Sequence, residues 1–300
     1  MTRKLIQCSI LVLLLVGWLL PLVAQPAPAM GPPKVLLLER EEIKPGKGAA
    51  HEKEAHGFVQ LAGRAKSEAH WLGLSPLSGN ENDAVFLIRY PSFEALEKDR
   101  MNFMKAEGGA VMADLEKLEA LGQDMHASQR AMLAVLREDL SYRLKDITAD
   151  SIAHSRYVEI ETFRVRLGHS GEFGEGAKTY FSAMEKANVN TPVALYQVIS
   201  GAPGGTYVAI SAMKSLKEMD VDNDKAVNAA LGEENGKKLQ TLERDSVMSI
   251  ESNLYAINPK MSYVSRQMAG IDPGFWTPKP PAAAAEKAPA APAAKERRKQ

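Results

Sequence analysis

The side chains most suited to chemistry in this 300-residue chain are its histidines, tryptophans and a few matched carboxylates. His51, His56, His70 and Trp71 fall in one short stretch. A neutral imidazole at His51 has the chemistry to bind a metal or haem, or to act as a base. The same residue is equally well read as a hydrogen-bonded core histidine, or an exposed one in a first helical turn. Glu52 and His56 stand four apart, either as two ligands or as a solvated helix pair. His51 and His56 are five apart and miss the i, i+4 spacing of helical zinc motifs, so no metal site is expected. His70 and Trp71 read as pocket-lining side chains or as ordinary core. Glu39 and Glu161 occupy matching strand positions. Facing inward they would form a paired carboxylate site with Arg89 or Arg164 as counter-ions, and facing outward they would be surface charges. No Walker loop, Gly-x-Ser-x-Gly elbow, HExxH or EF-hand pattern is present. Gly204-Gly205 reads as a hairpin turn rather than a phosphate cradle, because a strand pattern follows it.

The chain ends set the context in which those residues work. Arg3 and Lys4, an apolar run from Ile10 to Leu20, Pro21 and small residues up to Ala24 read as a cleaved export signal over 1–24, with 25–33 as a linker. The expected destination is the periplasm or the outside, with no integral membrane segment once the signal is removed. The single Cys8 belongs to that leader, which leaves the mature chain without a disulfide or a thiol nucleophile. From 271 to 300 the chain is assigned to a Pro-, Ala- and Lys-rich disordered tail, whose basic close is suited to anionic surfaces. Lys plus Arg and Asp plus Glu both number 37, a balance that argues against a nucleic-acid partner held by a broad basic surface.

The elements that must position the candidates are read from an internal repeat. Leu77-Ser78-Gly79 recurs as Ile199-Ser200-Gly201, Lys117-Leu118 as Lys238-Leu239, and Leu140-Ser141-Tyr142 as Met261-Ser262-Tyr263, at offsets of 121 to 122. Two units follow, 34–146 and 154–270, joined by a linker at 147–153. Each begins with a strand, Lys34–Ile43 or Arg156–Val165, that ends at a Gly turn. A helix follows whose buried stripe is His51, Ala55, Phe58, Ala62 and Ala65 in one copy and Phe173, Ala177, Tyr180, Met184 and Ala187 in the other. Two strands come next, Ala69–Leu77 with Ala84–Tyr90, and Val193–Ile199 with Thr206–Ala212. Helical regions over Ser92–Met125 and Ser215–Asp245 are expected to break at Gly108-Gly109 and near Gly232 and Gly236. The last strand is Ile250–Ile257, stopped by Asn258-Pro259, and its first-copy partner is Ala127–Arg137, which would also fit a continued helix. The order β-α-β-β-α-β, twice, defines an α+β class of two tandem ferredoxin-like units packed sheet to sheet as an intramolecular α/β barrel.

On the first strand and turn, Glu39-Arg40 through Lys44-Pro45-Gly46-Lys47, and on Tyr157 through Phe163 and Gly168, the chain resembles the dimeric α/β-barrel superfamily, in its NIPSNAP-like and antibiotic-biosynthesis-monooxygenase-like branches. The resemblance implies a ligand cavity between a sheet and its helices, and relatives that include cofactor-free monooxygenases and haem-degrading enzymes, with haem as the cofactor to consider. The full Asn–Trp–His set of the quinone-oxygenating relatives has no match here, so their catalytic roles are not carried over. The expected function is binding of a small, largely apolar ligand, with His51, His70, Trp71, Glu39 and Glu161 as its candidate residues. The alternatives are a cofactor-independent monooxygenase or haem-handling enzyme built on the same cluster, and a structural module without a ligand. If His51, His70 and Trp71 do not line one cavity, the enzyme reading is lost and the binding reading is badly weakened.

Overall fold

The computed structural model describes residues 31–105 and 110–277. The expected leader, residues 25–30 of the linker, the break at Gly108-Gly109 and the tail from 278 lie outside the described residues. In the first half the elements are Val35–Ile43 (β1), Gly48–Ala65 (α1), His70–Pro76 (β2), Asp83–Tyr90 (β3), Phe93–Lys105 (α2), Ala110–Gly122 (α3) and His126–Leu136 (β4). The connecting stretch 137–156 holds two short 3-10 turns and the helix Ala149–Ala153 (α4), started by a reciprocal Thr148–Ser151 capping box. Then come Tyr157–Val165 (β5), Ser170–Lys186 (α5), Ala194–Ser200 (β6), Thr206–Met213 (β7), Asn223–Ser246 (α6), Val247–Tyr263 (β8), Arg266–Ile271 (α7) and Pro273–Trp276 (α8). No helix among the described residues is long and apolar enough to cross a membrane.

All eight strands close into one antiparallel barrel in the order β1-β3-β2-β8-β5-β7-β6-β4. Around the ring, β4-β1-β3-β2 is followed by β8-β5-β7-β6. The halves are stitched at two seams, β2 to β8 and β4 to β6. The closed barrel agrees with the expectation of a barrel within one chain, and at these seams the two sheets also join edge to edge through backbone hydrogen bonds. Closure satisfies the edge strands, which otherwise expose unpaired N–H and C=O groups.

Strand alternation sorts the side chains. Leu36, Leu38, Leu74, Val85, Leu87, Val158, Ile160, Tyr196, Val208, Tyr255 and Ile257 point inward and form the main core, joined by Ala153, Met268 and Trp276. The opposite face of the barrel packs under helices. Val35, Ala69 and Tyr90 meet Ala95 and Leu96 of α2, while Val165, Leu195 and Tyr207 meet Phe173 of α5.

Three boundaries depart from expectation for physical reasons. Strand β8 does not stop at Asn258-Pro259 but runs on to Tyr263, shifting register where Gly73 pairs with Asn258 and Trp71 with Tyr263. The proline N cannot donate, so the ladder bulges there. Gly73 allows the close approach, since a Cβ on it would lie 2.6–2.8 Å from Met261 Cβ, O and C. The second-half helical region breaks at Gly232 (φ 70°, ψ 175°) and stays helical at Gly236. Residues 271–277, assigned to the tail, are part of the fold. Trp276 is buried and its indole N–H donates to Ala153 O at 3.0 Å. Arg156 pairs with Asp272 and lies over the Phe275 ring, 3.9 Å from its centroid.

Candidate functional site

Two places in the barrel gather the polar residues singled out by sequence, and they are separate. The first is a cavity of about 540 Å³ at one end of the barrel interior. Its wall is apolar, drawn from seven strands: Leu36, Leu72, Leu87, Val158, Ala194, Tyr196, Ile210, Ala212 and Ile257. Ile147 and Ile152 beside and on α4, Met268 of α7 and the stretch 188–192 complete its mouth. The resemblance implied a cavity between sheet and helices, whereas this one lies within the strands.

His70, Trp71 and Arg89 bring polar chemistry to this wall, and Asp146, Lys214 and Glu218 bring charges to the rest of the lining. The His70 ring stacks on Tyr263 (5.2 Å between centroids, 12° between planes), and burial followed by the Arg89 charge holds its pKa below the ordinary value. Trp71 tilts against Tyr263 and donates its indole N–H to Met261 O at 2.8 Å, across the β2–β8 seam. Arg89 donates to Gly31 O at 2.6 Å, and burial lowers its pKa. Tyr196 donates its hydroxyl to Pro33 O at 3.2 Å.

The second place lies on the outer face of β1 and β4, beneath α1. His51 is there and does not line the larger cavity. Its Nε2 is 2.7 Å from Glu41 Oε2, and its ring meets that of His126 edge-on at 5.4 Å. His126 Nε2 lies 3.4 Å from the same Glu41 oxygen and makes no hydrogen bond. The side chains of His51, His126 and Glu41 are 5%, 13% and 17% exposed. Gln129 donates to Glu41 Oε1 at 3.0 Å and its amide N is 3.3 Å from His126 Nδ1.

Burial pushes the Glu41 carboxyl up, but the His51 hydrogen bond and the adjacent His126 outweigh it, and the net pKa is below the usual carboxylate range. The neighbouring Glu54, buried on α1, is pushed up to about 7, chiefly by desolvation. It packs over Gly122 at the end of α3, where a Cβ would collide with the Glu54 carboxylate and crowd His126. A smaller cavity of about 300 Å³ reaches His51 past Glu52, Asn82 and Asp83.

Local sequence explains how these groups meet. The β1–β4 register shifts between Glu42 and Ile43, so Ile43 faces His126 while Glu41 faces Gln129. That bulge brings residues 126 and 129, three apart, onto one face with Glu41. Glu41, His126, Gln129 and Glu54 were all missed by sequence reading. Their signal was in the repeat, where the positions matching Glu41, His51 and His126 are Phe163, Phe173 and Val247.

The remaining candidates resolve simply. Glu39 and Glu161 both face the helical layer, on strands β1 and β5 that sit on opposite sides of the ring. They form no pair. Each is half-buried, and burial raises both carboxyls, followed by Glu41 for Glu39 and by Glu159 and Asp224 for Glu161. The expected counter-ions are engaged elsewhere: Arg164 binds Thr206 and Pro203 O. Glu52 and His56 tie α1 to β8, with Glu52 accepting from Lys260 Nζ at 2.7 Å and Asn258 at 3.0 Å, and His56 Nδ1 meeting Lys260 O at 3.1 Å. A haem held by His51 does not fit, because His51 lies outside the large cavity and the cavity it borders is only about 300 Å³.

Barrel and sites together define an α+β protein with a closed eight-stranded antiparallel barrel, consistent with a dimeric α/β barrel closed here within one chain. No protein-family model matches the chain, and no curated protein matches it in sequence. Among solved structures it is similar to an anthrone oxidase-like protein, with TM-score 0.48 and 15% identity over 75% of this chain and 91% of that one. A chlorite dismutase variant from Candidatus Nitrospira defluvii gives TM-score 0.46 and 8% identity over 78% and 95%. A haem-binding protein from Thermus thermophilus gives 0.44 and 11% over 79% and 96%. These are likenesses of fold alone.

Proposed function

We propose that this is an exported protein that binds a small, largely apolar molecule in the barrel-end cavity. The observation that carries the reading is the cavity itself. About 540 Å³ lies inside the usual range for small-molecule sites, and the wall is hydrophobic with a few polar side chains. Arg89 and Lys214 place cations on that lining beside the carboxylates of Asp146 and Glu218, and an apolar ligand with one anionic group would meet one of the cations. The monooxygenase and haem readings depended on His51, His70 and Trp71 sharing a cavity. They do not share one, which takes His51 out of the binding reading too and leaves that reading resting on the barrel-end cavity.

The same proposal takes the chain as two tandem ferredoxin-like units, supported by the matching halves of the strand order and by register shifts at Glu42/Ile43 and Arg164/Val165. It takes Gln25 as the first residue of the exported form, on the strength of the leader pattern. The test is fluorescence titration of the chain from Gln25 with 1-anilinonaphthalene-8-sulfonate, an apolar anion. One saturable site of roughly micromolar affinity is expected. Ala212→Trp, which fills the cavity, should abolish it, and Arg89→Met should weaken it about tenfold, or about 1.4 kcal/mol. Binding of equal strength in the filled variant would overturn the reading.

A further inference from the structure

The two halves of the barrel fill the same place with opposite chemistry. In the second half Val165 pairs with Val247 across a register shift identical in position to that at Ile43 and His126. Phe163 stands five residues before the positive-φ Gly168, as Glu41 stands before Gly46, and Phe173 stands five after it, as His51 does. Phe163, Phe173 and Val247 pack as one apolar cluster, the two rings 5.4 Å apart. The architecture is therefore stable with hydrocarbon at this place. Glu41, His51 and His126 put a carboxylate and two imidazoles there, which desolvates all three and leaves His126 Nε2 without a hydrogen bond.

We propose that Glu41 Oε2, His51 Nε2 and His126 Nε2 form a three-ligand site for a divalent first-row transition ion, with zinc as the probe. The three atoms lie within 4.8 Å of one another. Tetrahedral zinc with bonds of about 2.0–2.1 Å needs ligand atoms roughly 3.3 Å apart. The His126–Glu41 distance of 3.4 Å already matches, and the His51–Glu41 distance of 2.7 Å has only to open slightly. Nitrogen and carboxylate donors suit zinc and its neighbours rather than calcium or magnesium. Gln129 donates to Glu41 Oε1 and so holds that ligand from its outer side. Three protein ligands leave a fourth position open, and of the three His51 borders the smaller cavity.

The experiment uses the untagged chain from Gln25, stripped with chelator and titrated with Zn²⁺ by calorimetry and with Co²⁺ by visible absorption. One ion per chain is expected, with the intense d–d bands of low-coordinate cobalt. His126→Ala and His51→Ala should each weaken binding more than about 100-fold, beyond the 10–100-fold cost of losing an outer partner. His56→Ala, on the exposed side of α1, should leave it unchanged. The triple variant Glu41→Phe, His51→Phe, His126→Val imports the packing of the other half. It should unfold cooperatively and bind neither ion. Retention of the cobalt spectrum in that triple variant, or zinc binding by the parent at less than one equivalent, overturns the proposal. Dye binding in the barrel cavity is read separately, so failure of one reading is distinguishable from failure of the other.

Discussion

Glu161 shows how much a side chain's environment alters its ordinary chemistry. It sits half-buried under the helices with Glu159 and Asp224 nearby, Tyr180 also within electrostatic reach, and burial raises its pKa above 4.5. A carboxyl whose folded pKa is raised binds its proton more tightly in the folded state. Between its unfolded and folded values, stability therefore falls as pH rises. Below that window the group costs nothing, and above it the buried charge is a standing penalty. Glu161→Gln, neutral at every pH, should raise the melting temperature at pH 8 and leave it nearly unchanged at pH 4. Thermal unfolding of both proteins at the two pH values measures this. An equal shift at both would show that the residue acts through packing rather than charge. Glu39 has the same sign but lies beside Glu41 and Arg100, which makes it the poorer reporter.

At the scale of elements, periodicity was legible because it is local to each segment, and matching motifs 121–122 residues apart let most segments be read twice. The expected first strands, first helices and paired middle strands coincide closely with β1, α1, β2, β3 and their second-half counterparts. The ambiguous Ala127–Arg137 segment is strand β4, and the repeat rather than its own pattern had pointed that way. What was not legible depends on register. Spacing along the chain could not bring His126 to His51, because two strands and a bulge do so. Nor could it tell which face Glu39 takes, since a one-residue slip exchanges the faces. The length of β8 was missed for a similar reason. Asn258-Pro259 reads as a stop, yet the seam continues because Gly73 opposite leaves space for the displaced Met261 backbone. Gly73→Ala should therefore cost about 1–3 kcal/mol as an overpacking change. Urea unfolding with an unchanged m-value is the expected signature. A loss below about 0.5 kcal/mol would mean that the seam can move aside.

For the whole molecule, the decisive feature is that the barrel belongs to neither half. Strands β2 and β4 would be open edges of the first half, and β6 and β8 of the second, and each pair is satisfied only by the other. The core is shared in the same way, with Leu36, Leu74 and Leu87 from one side meeting Val158, Tyr196 and Ile257 from the other. Residues 137–146 deepen the exchange: Leu140 packs into the second-half cluster, and Tyr142 bridges Val193 and bonds Glu185 and Val189 O. A half produced alone would carry a bare apolar sheet face and two unpaired edges, which is the pattern that drives aggregation or self-pairing. Segments 31–146 and 147–277 expressed separately should therefore be insoluble or form homodimers. Expressed together they should associate one to one, and native mass spectrometry of the purified pair should show the heterodimer. Soluble monomeric halves, each unfolding cooperatively by itself, would mean that the seams close the barrel without holding its stability, and that the core divides where the chain does.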